Sequence, residues 1–144
     1  MRQDIIIYNN TELYRITTDE FVYAKASGNY TEIFLTHPDK DKGDMQKATL
    51  TVTLQLGKVA VLIAGQLLHS MSPIARLGNS YILNMDYVFH IKPREHQLVL
   101  RDWSGRTYFL TGLPEEPLRK LKSALVARMA REEEDVTAEG EKIE

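Results

Sequence analysis

Arg76-Leu77-Gly78-Asn79-Ser80-Tyr81-Ile82-Leu83-Asn84 decides how this chain is read. It follows the one long apolar run in the first two thirds of the sequence that has a helical pattern. Tyr81, Ile82 and Leu83 predict a short buried strand, and the basic residue, serine and two asparagines around them are polar side chains held on an anchored backbone. A second such junction lies upstream at Lys25-Ala26-Ser27-Gly28-Asn29-Tyr30. Polar loop residues beside short strands are the common theme.

Working outward, β-branched and aromatic runs separated by turn residues predict a mainly β, α+β chain. Ile5 to Tyr8 and Leu13 to Ile16 form two strands about Asn9-Asn10, and Thr17 to Glu20 forms a tight turn. Phe21 to Ala26 and Tyr30 to Leu35 form a hairpin whose tip carries Lys25, Ser27, Asn29 and Tyr30, with Thr31, Ile33 and Leu35 on one face. His37 to Lys47 reads as loop. Its Asp39-Lys40-Asp41-Lys42-Gly43-Asp44 superficially resembles a calcium loop, but Gly43 and Leu50 stand where ligands are needed and two lysines sit inside. Ala48 to Gln55 alternates as a half-buried strand, and Val59 to His69 as a helix ended by Ser70 to Pro73. Tyr87 to Lys92, Gln97 to Arg101 and Arg106 to Leu110 are antiparallel strands joined at Pro93 to His96 and Ser104-Gly105. Pro114 opens a C-terminal helix with acids near its start and an apolar face of Leu118, Leu121, Leu125 and Met129.

The 144 residues suffice for one domain with a real core. Residues 131–144 carry seven acids against two bases, which leaves the remaining 130 residues at +3 within a total of −2. The expected organisation is a domain over 1–130 and an acidic, disordered tail over 131–144. No cysteine is present, so disulfides and thiolate metal sites are excluded. There is no apolar run of membrane-span length and no cleavage site of a signal peptide, so the expected location is the cytoplasm. His37, His69, His90 and His96 lack metal-ligand spacing, and no nucleophile elbow, phosphate loop or carboxylate pair is found. Neither an enzyme, a cofactor nor a metal is expected.

Phe21 to Ile33 resembles the "I.YIEA.GNYT.I" signature of the LytTR family of bacterial DNA-binding domains, and Arg76 to Asn84 resembles its "RIHRSYIVN" signature. Thr49 to Leu56, Tyr87 to Lys92 and Leu98 to Leu110 match further family segments in order, so the resemblance spans roughly residues 3 to 126. It implies an elongated β-fold with one central and one C-terminal helix, whose loops enter successive major grooves of double-stranded DNA. Family members usually form the output half of two-component response regulators and bind direct repeats as homodimers. Only about twenty residues precede the first motif here, so the expectation is a stand-alone transcriptional regulator answering to a separate signalling protein, or a fragment of a longer one.

Carried over residue by residue, the resemblance places base readout on Asn29, with Lys25, Ser27 and Tyr30 beside it, and on Asn79, with Ser80 and Arg76 on phosphates. Lys92 and Arg94 would position the backbone. A strand aromatic such as Tyr30 is more often core than contact, and Asn29 and Asn79 can equally be turn residues. Gly78 replaces the usual histidine, and Thr111 to Glu116 replaces a basic segment, which weakens the electrostatic part of DNA affinity. The alternative is a LytTR-like scaffold that binds protein or itself.

Overall fold

The computed structural model describes residues 3–36, 49–67 and 72–143, with side chains as far as Arg131. The expected loop at His37 to Lys47 and the helix end at His69 to Met71 lie outside the described residues. The architecture is mainly β, with antiparallel sheets and two helices.

At the centre is a five-stranded antiparallel sheet in the order β5-β4-β3-β7-β6, formed by β3 (Phe21–Ser27), β4 (Tyr30–Leu35), β5 (Thr49–Val52), β6 (Ile74–Leu77) and β7 (Tyr81–Asn84). Both of its faces are covered. One packs the hairpin of β1 (Asp4–Tyr8) and β2 (Leu13–Thr17), and helix α1 (Leu56–Gln66), around Phe21, Ala24, Ile33 and Ile82. The other packs the three-stranded sheet of β8 (Val88–Lys92), β9 (Gln97–Arg101) and β10 (Thr107–Leu110), and helix α2 (Glu115–Ile143), around Val22, Tyr23, Leu77 and Leu83. A strand buried on two sides needs no polar face, which is why Phe21 to Ala24 is continuously apolar and buried. The register shifts between Phe21 and Tyr23, and this bulge lets Val22 and Tyr23 both join the second core.

Local chemistry fixes the peripheral pieces. The Gln66 side chain binds the edge of β1 as a strand would: Ile6 N–H donates to its Oε1 at 2.8 Å, and its Nε2 donates to Ile6 O at 2.7 Å. Buried Asn84, which closes the opening stretch, donates from Nδ2 to Thr18 O (3.0 Å) and Phe21 O (2.9 Å) and accepts from Asp86 N–H (3.0 Å). It ties β7 to the Thr17–Glu20 turn and caps the 3₁₀ turn Met85–Tyr87. Asp102, also buried, accepts from Ser104 N–H and Oγ–H, Arg106 N–H and Tyr108 O–H, and so shapes the loop between β9 and β10.

Three expectations are corrected. α1 begins at Leu56, three residues early, because Leu56 itself is a core residue; Gln55 supplies only its backbone carbonyl as cap. β6 was not anticipated, since Ile74-Ala75-Arg76-Leu77 lacks a strong strand signature. Met129 is 58% exposed, because the body against which α2 packs ends near Leu125 and the Arg128–Asp86 ion pair. The helix runs on to Ile143, so its backbone carries the acidic stretch set apart on charge.

Candidate nucleic-acid interface

The two polar junctions are adjacent hairpin tips. β3 turns into β4 through Gly28-Asn29, with Ser27 paired to Tyr30 and Gly28 at φ +62°. Positive φ at the first central residue alone is the pattern of a type II′ turn, which glycine favours and which suits strand twist. β6 turns into β7 through Gly78-Asn79-Ser80, with Leu77 paired to Tyr81 and Gly78 at φ +59°. The left-handed backbone explains the glycine at this position: the histidine of the family signature would be strained here. Because β3 pairs with β7 (Lys25 opposite Tyr81), the tips lie side by side, and Ala26 N–H donates to Ser80 O at 2.9 Å.

A third loop joins this end of the molecule. The segment between β10 and α2 lines, with Lys25, Asn79 and Ser80, a cavity of about 240 Å³ that includes Gly112, Leu113 and Pro114. Leu113 in turn holds the β8–β9 turn. His96, at φ +56°, accepts from Leu113 N–H at 3.0 Å through its carbonyl, and its ring Nδ1 lies 2.8 Å from Leu113 O. The ring nitrogen is therefore the donor. His90 lies opposite Val99 and does not face His96. This histidine clasp escaped sequence reasoning; its only signal was its place at the end of a Pro-containing turn.

Lys25, Ser27, Asn29, Tyr30, Asn79 and Ser80 are thus brought together and exposed. Tyr30 is 48% exposed, which overturns its reading as a core aromatic; alternation along β4 buries Thr31 and Ile33 instead. Arg76 is separated from the group. It pairs with Ile82, whose side chain belongs to the α1 core, and its guanidinium lies near Gly57 at the start of α1. Leu77 and Lys25 belong to the opposite face. Lys92 and Arg94 lie in the β8–β9 turn, where Lys92 pairs with Glu95 at 3.4 Å.

The asparagines differ in how they are used. Asn9 makes a local turn, with its Oδ1 accepting from Thr11 N–H and Glu12 N–H, and Asn84 is fully engaged. The amides of Asn29 and Asn79 have no hydrogen-bond partner among the described residues, and neither residue has positive φ. Asn29 still occupies the second central position of its turn, but neither amide makes a turn hydrogen bond of the kind Asn9 makes.

Beneath the tips an aromatic cluster stiffens the scaffold. Tyr23 stacks on Phe34 at 4.3 Å and meets Tyr108 edge-on at 6.1 Å. Burial, reinforced by Tyr81 and Glu32, pushes the Tyr23 hydroxyl up to about 12. Charge at this end is mixed. Glu32 lies opposite Lys25, Glu95 pairs with Lys92, and Glu115 pairs with Arg119 at the start of α2; that hydrogen bond holds the Glu115 carboxyl below its ordinary range. No group of metal-ligating side chains occurs among the described residues, and no helix there is long and apolar enough to cross a membrane.

No family model matches the sequence, and no curated protein matches it. Among solved structures, the chain is similar to the LytTr DNA-binding domain of a methyl-accepting/DNA response regulator from Bacillus cereus, with 15% identity and a TM-score of 0.49 over 82% of this chain and 94% of that one. A likeness at this level transfers no residue role.

Proposed function

We propose that this chain is a LytTR-type, sequence-specific DNA-binding domain of a cytoplasmic transcriptional regulator, reading double-stranded DNA through loops. The observation that carries the reading is the pair of amides, Asn29 and Asn79, without a partner among the described residues, on hairpin tips locked together through Ala26 and Ser80. An asparagine amide can both accept from adenine N6 and donate to N7. Lys25, Ser27, Tyr30 and Ser80 surround them, and the clasped β8–β9 turn offers Arg94 to phosphate, with Lys92 held by Glu95 until the duplex competes for it. Arg76 contributes from the other face of the sheet or not at all. Two copies would occupy successive half-sites, with the acidic stretch 131–144 standing apart from the reading end.

Selection from random duplexes at low salt tests this. The expected outcome is one enriched site, with Asn79→Ala and Asn29→Ala each losing affinity by about 1–3 kcal/mol, or roughly 5- to 150-fold. Absence of any duplex bound above background rejects the reading.

A second reading, a protein-interaction module on the same scaffold, draws on the outer face of the three-stranded sheet. Phe89 and Phe109 are 54% and 64% exposed there, with the Arg101 guanidinium 3.7 Å above the Phe89 ring centre. Exposed aromatics with arginine are what interfaces enrich. Substituting Phe109→Ser and leaving duplex binding intact would separate the two surfaces.

A further inference from the structure

Beside α2 runs a groove of about 990 Å³, walled on one side by the β8–β9 turn with Lys92 and Arg94 and on the other by Arg119, Lys122 and Val126 of the helix. On α2, Arg119, Lys122, Val126 and Met129 follow at intervals of three and four residues, so they form one stripe, distinct from the inward stripe of Leu118, Leu121 and Leu125. Val126 and Met129 are 60% and 58% exposed. The helical wall thus combines apolar Val126, Ala127 and Ala130 with Lys122. Of the rim cations, Lys92 and Arg119 are paired with Glu95 and Glu115, while Arg94 and Lys122 make no ion pair among the described residues. The groove's complement is an acidic helix.

The chain supplies one. α2 continues past this groove to Ile143, and residues 131–144 hold seven acids against two bases. We propose that the α2 groove is a self-association surface, occupied by the α2 of a second copy running antiparallel. An antiparallel pairing centred on Ala127 sets residues 119–122 of one helix at the level of residues 132–135 of the other, so the basic run 119–122 falls in register with the acidic run 132–135, Lys122 with Glu132. The arrangement is reciprocal, so one contact satisfies both copies, and a parallel pairing would set like charges together. Exposed ion pairs contribute little by themselves. Val126 and Met129 supply the apolar contact, and the charges supply its direction and register.

This names the surface for the pairing of copies entertained above and rests on that reading only to that extent, so the test contains no DNA. Sedimentation velocity of the full chain at low salt, from about 10 μM to about 1 mM, should show a monomer–dimer equilibrium. Val126→Asp, an exposed position, should weaken it at least about 10-fold. Lys122→Glu should also weaken it, and adding Glu132→Lys should restore it. A chain that stays monomeric throughout overturns the inference and leaves duplex binding standing. So does a dimer indifferent to Val126→Asp, or a double variant without rescue.

Discussion

Replacing Asn84 with leucine, which keeps the number and branching of its side-chain heavy atoms but none of its polar ones, tests what the last residue of the Arg76–Asn84 stretch does. In the structure this side chain is buried and makes three hydrogen bonds, two to the carbonyls of Thr18 and Phe21 and one from Asp86 N–H, at 2.9–3.0 Å. Leucine leaves two carbonyls and one amide without these partners. Each orphaned buried group costs about 1–3 kcal/mol, and water can reach the half-exposed Asp86 side, so the expected loss is about 3–4 kcal/mol. For a chain of this size that is roughly 10 °C in Tm. Asn84→Asp should cost at least as much, since an ionised carboxylate cannot donate to Thr18 O or Phe21 O. Urea unfolding followed by circular dichroism measures both, with the slope checked so that the midpoint change reports stability alone. A loss below about 1 kcal/mol for the leucine variant would refute the reasoning, because the tie between β7 and the Thr17–Glu20 turn would then carry no net stability.

Three further outcomes are expected. Burial would raise the Asp102 carboxyl, but hydrogen bonds from Ser104, Tyr108 and Arg106 outweigh it and hold the group below its usual range. The resulting stability is therefore full above the unfolded carboxylate value and is lost as pH falls through the folded one; Asp102→Asn should cost about 2 kcal/mol at neutral pH and flatten the acid limb of a stability–pH curve. Tyr23 and Tyr87 are each raised to about 12, first by burial. Their contribution is whole below the unfolded value near 10 and declines as pH rises toward 12, so alkaline unfolding should set in over that window, and absorbance titration of the folded protein should show tyrosines resisting ionisation below it. At Gly78, φ is +59° with open space around the position, so Gly78→Ala should destabilise by about 1–2 kcal/mol through backbone strain alone, and Gly78→Asn by less; equal stability of all three would remove the strain argument.

The hairpins were legible because their signals are local. Strand alternation in Tyr30 to Leu35 placed Thr31, Ile33 and Leu35 on the buried face, and Gly28-Asn29 marked the turn. What was not legible depends on pairing across the sequence. The face on which Arg76 emerges follows from its registry with Ile82 in a strand, β6, that Ile74-Ala75-Arg76-Leu77 does not announce. The start of α1 is set by burial of Leu56 and not by a capping side chain. Apolar spacing on α2 is the same at Leu118 and at Met129, and only the extent of the body against which the helix lies makes one core and the other surface. At the candidate site, the sequence left Asn29 and Asn79 divided between turn chemistry and recognition; in the structure Asn29 sits in the turn, and neither amide is spent on a hydrogen bond among the described residues.

Electrostatics then bears on how such a surface could act. Of the cations assigned to the reading end, Lys92 is paired with Glu95, and Arg76 emerges on the far face, which leaves Lys25 and Arg94 as the principal charges toward phosphate. Two or three neutralised phosphates imply a salt slope of about −1.8 to −2.7, or a roughly 12- to 40-fold loss of affinity from 50 to 200 mM salt. A single copy would thus bind weakly, and paired copies would gain from the high effective concentration of the second domain. If the pairing runs through antiparallel α2 helices, the two reading ends are related by a two-fold axis, and the preferred site must then be an inverted repeat. A selected site built from direct repeats would mean that the α2 contact does not hold the pair on DNA, whatever it does in solution.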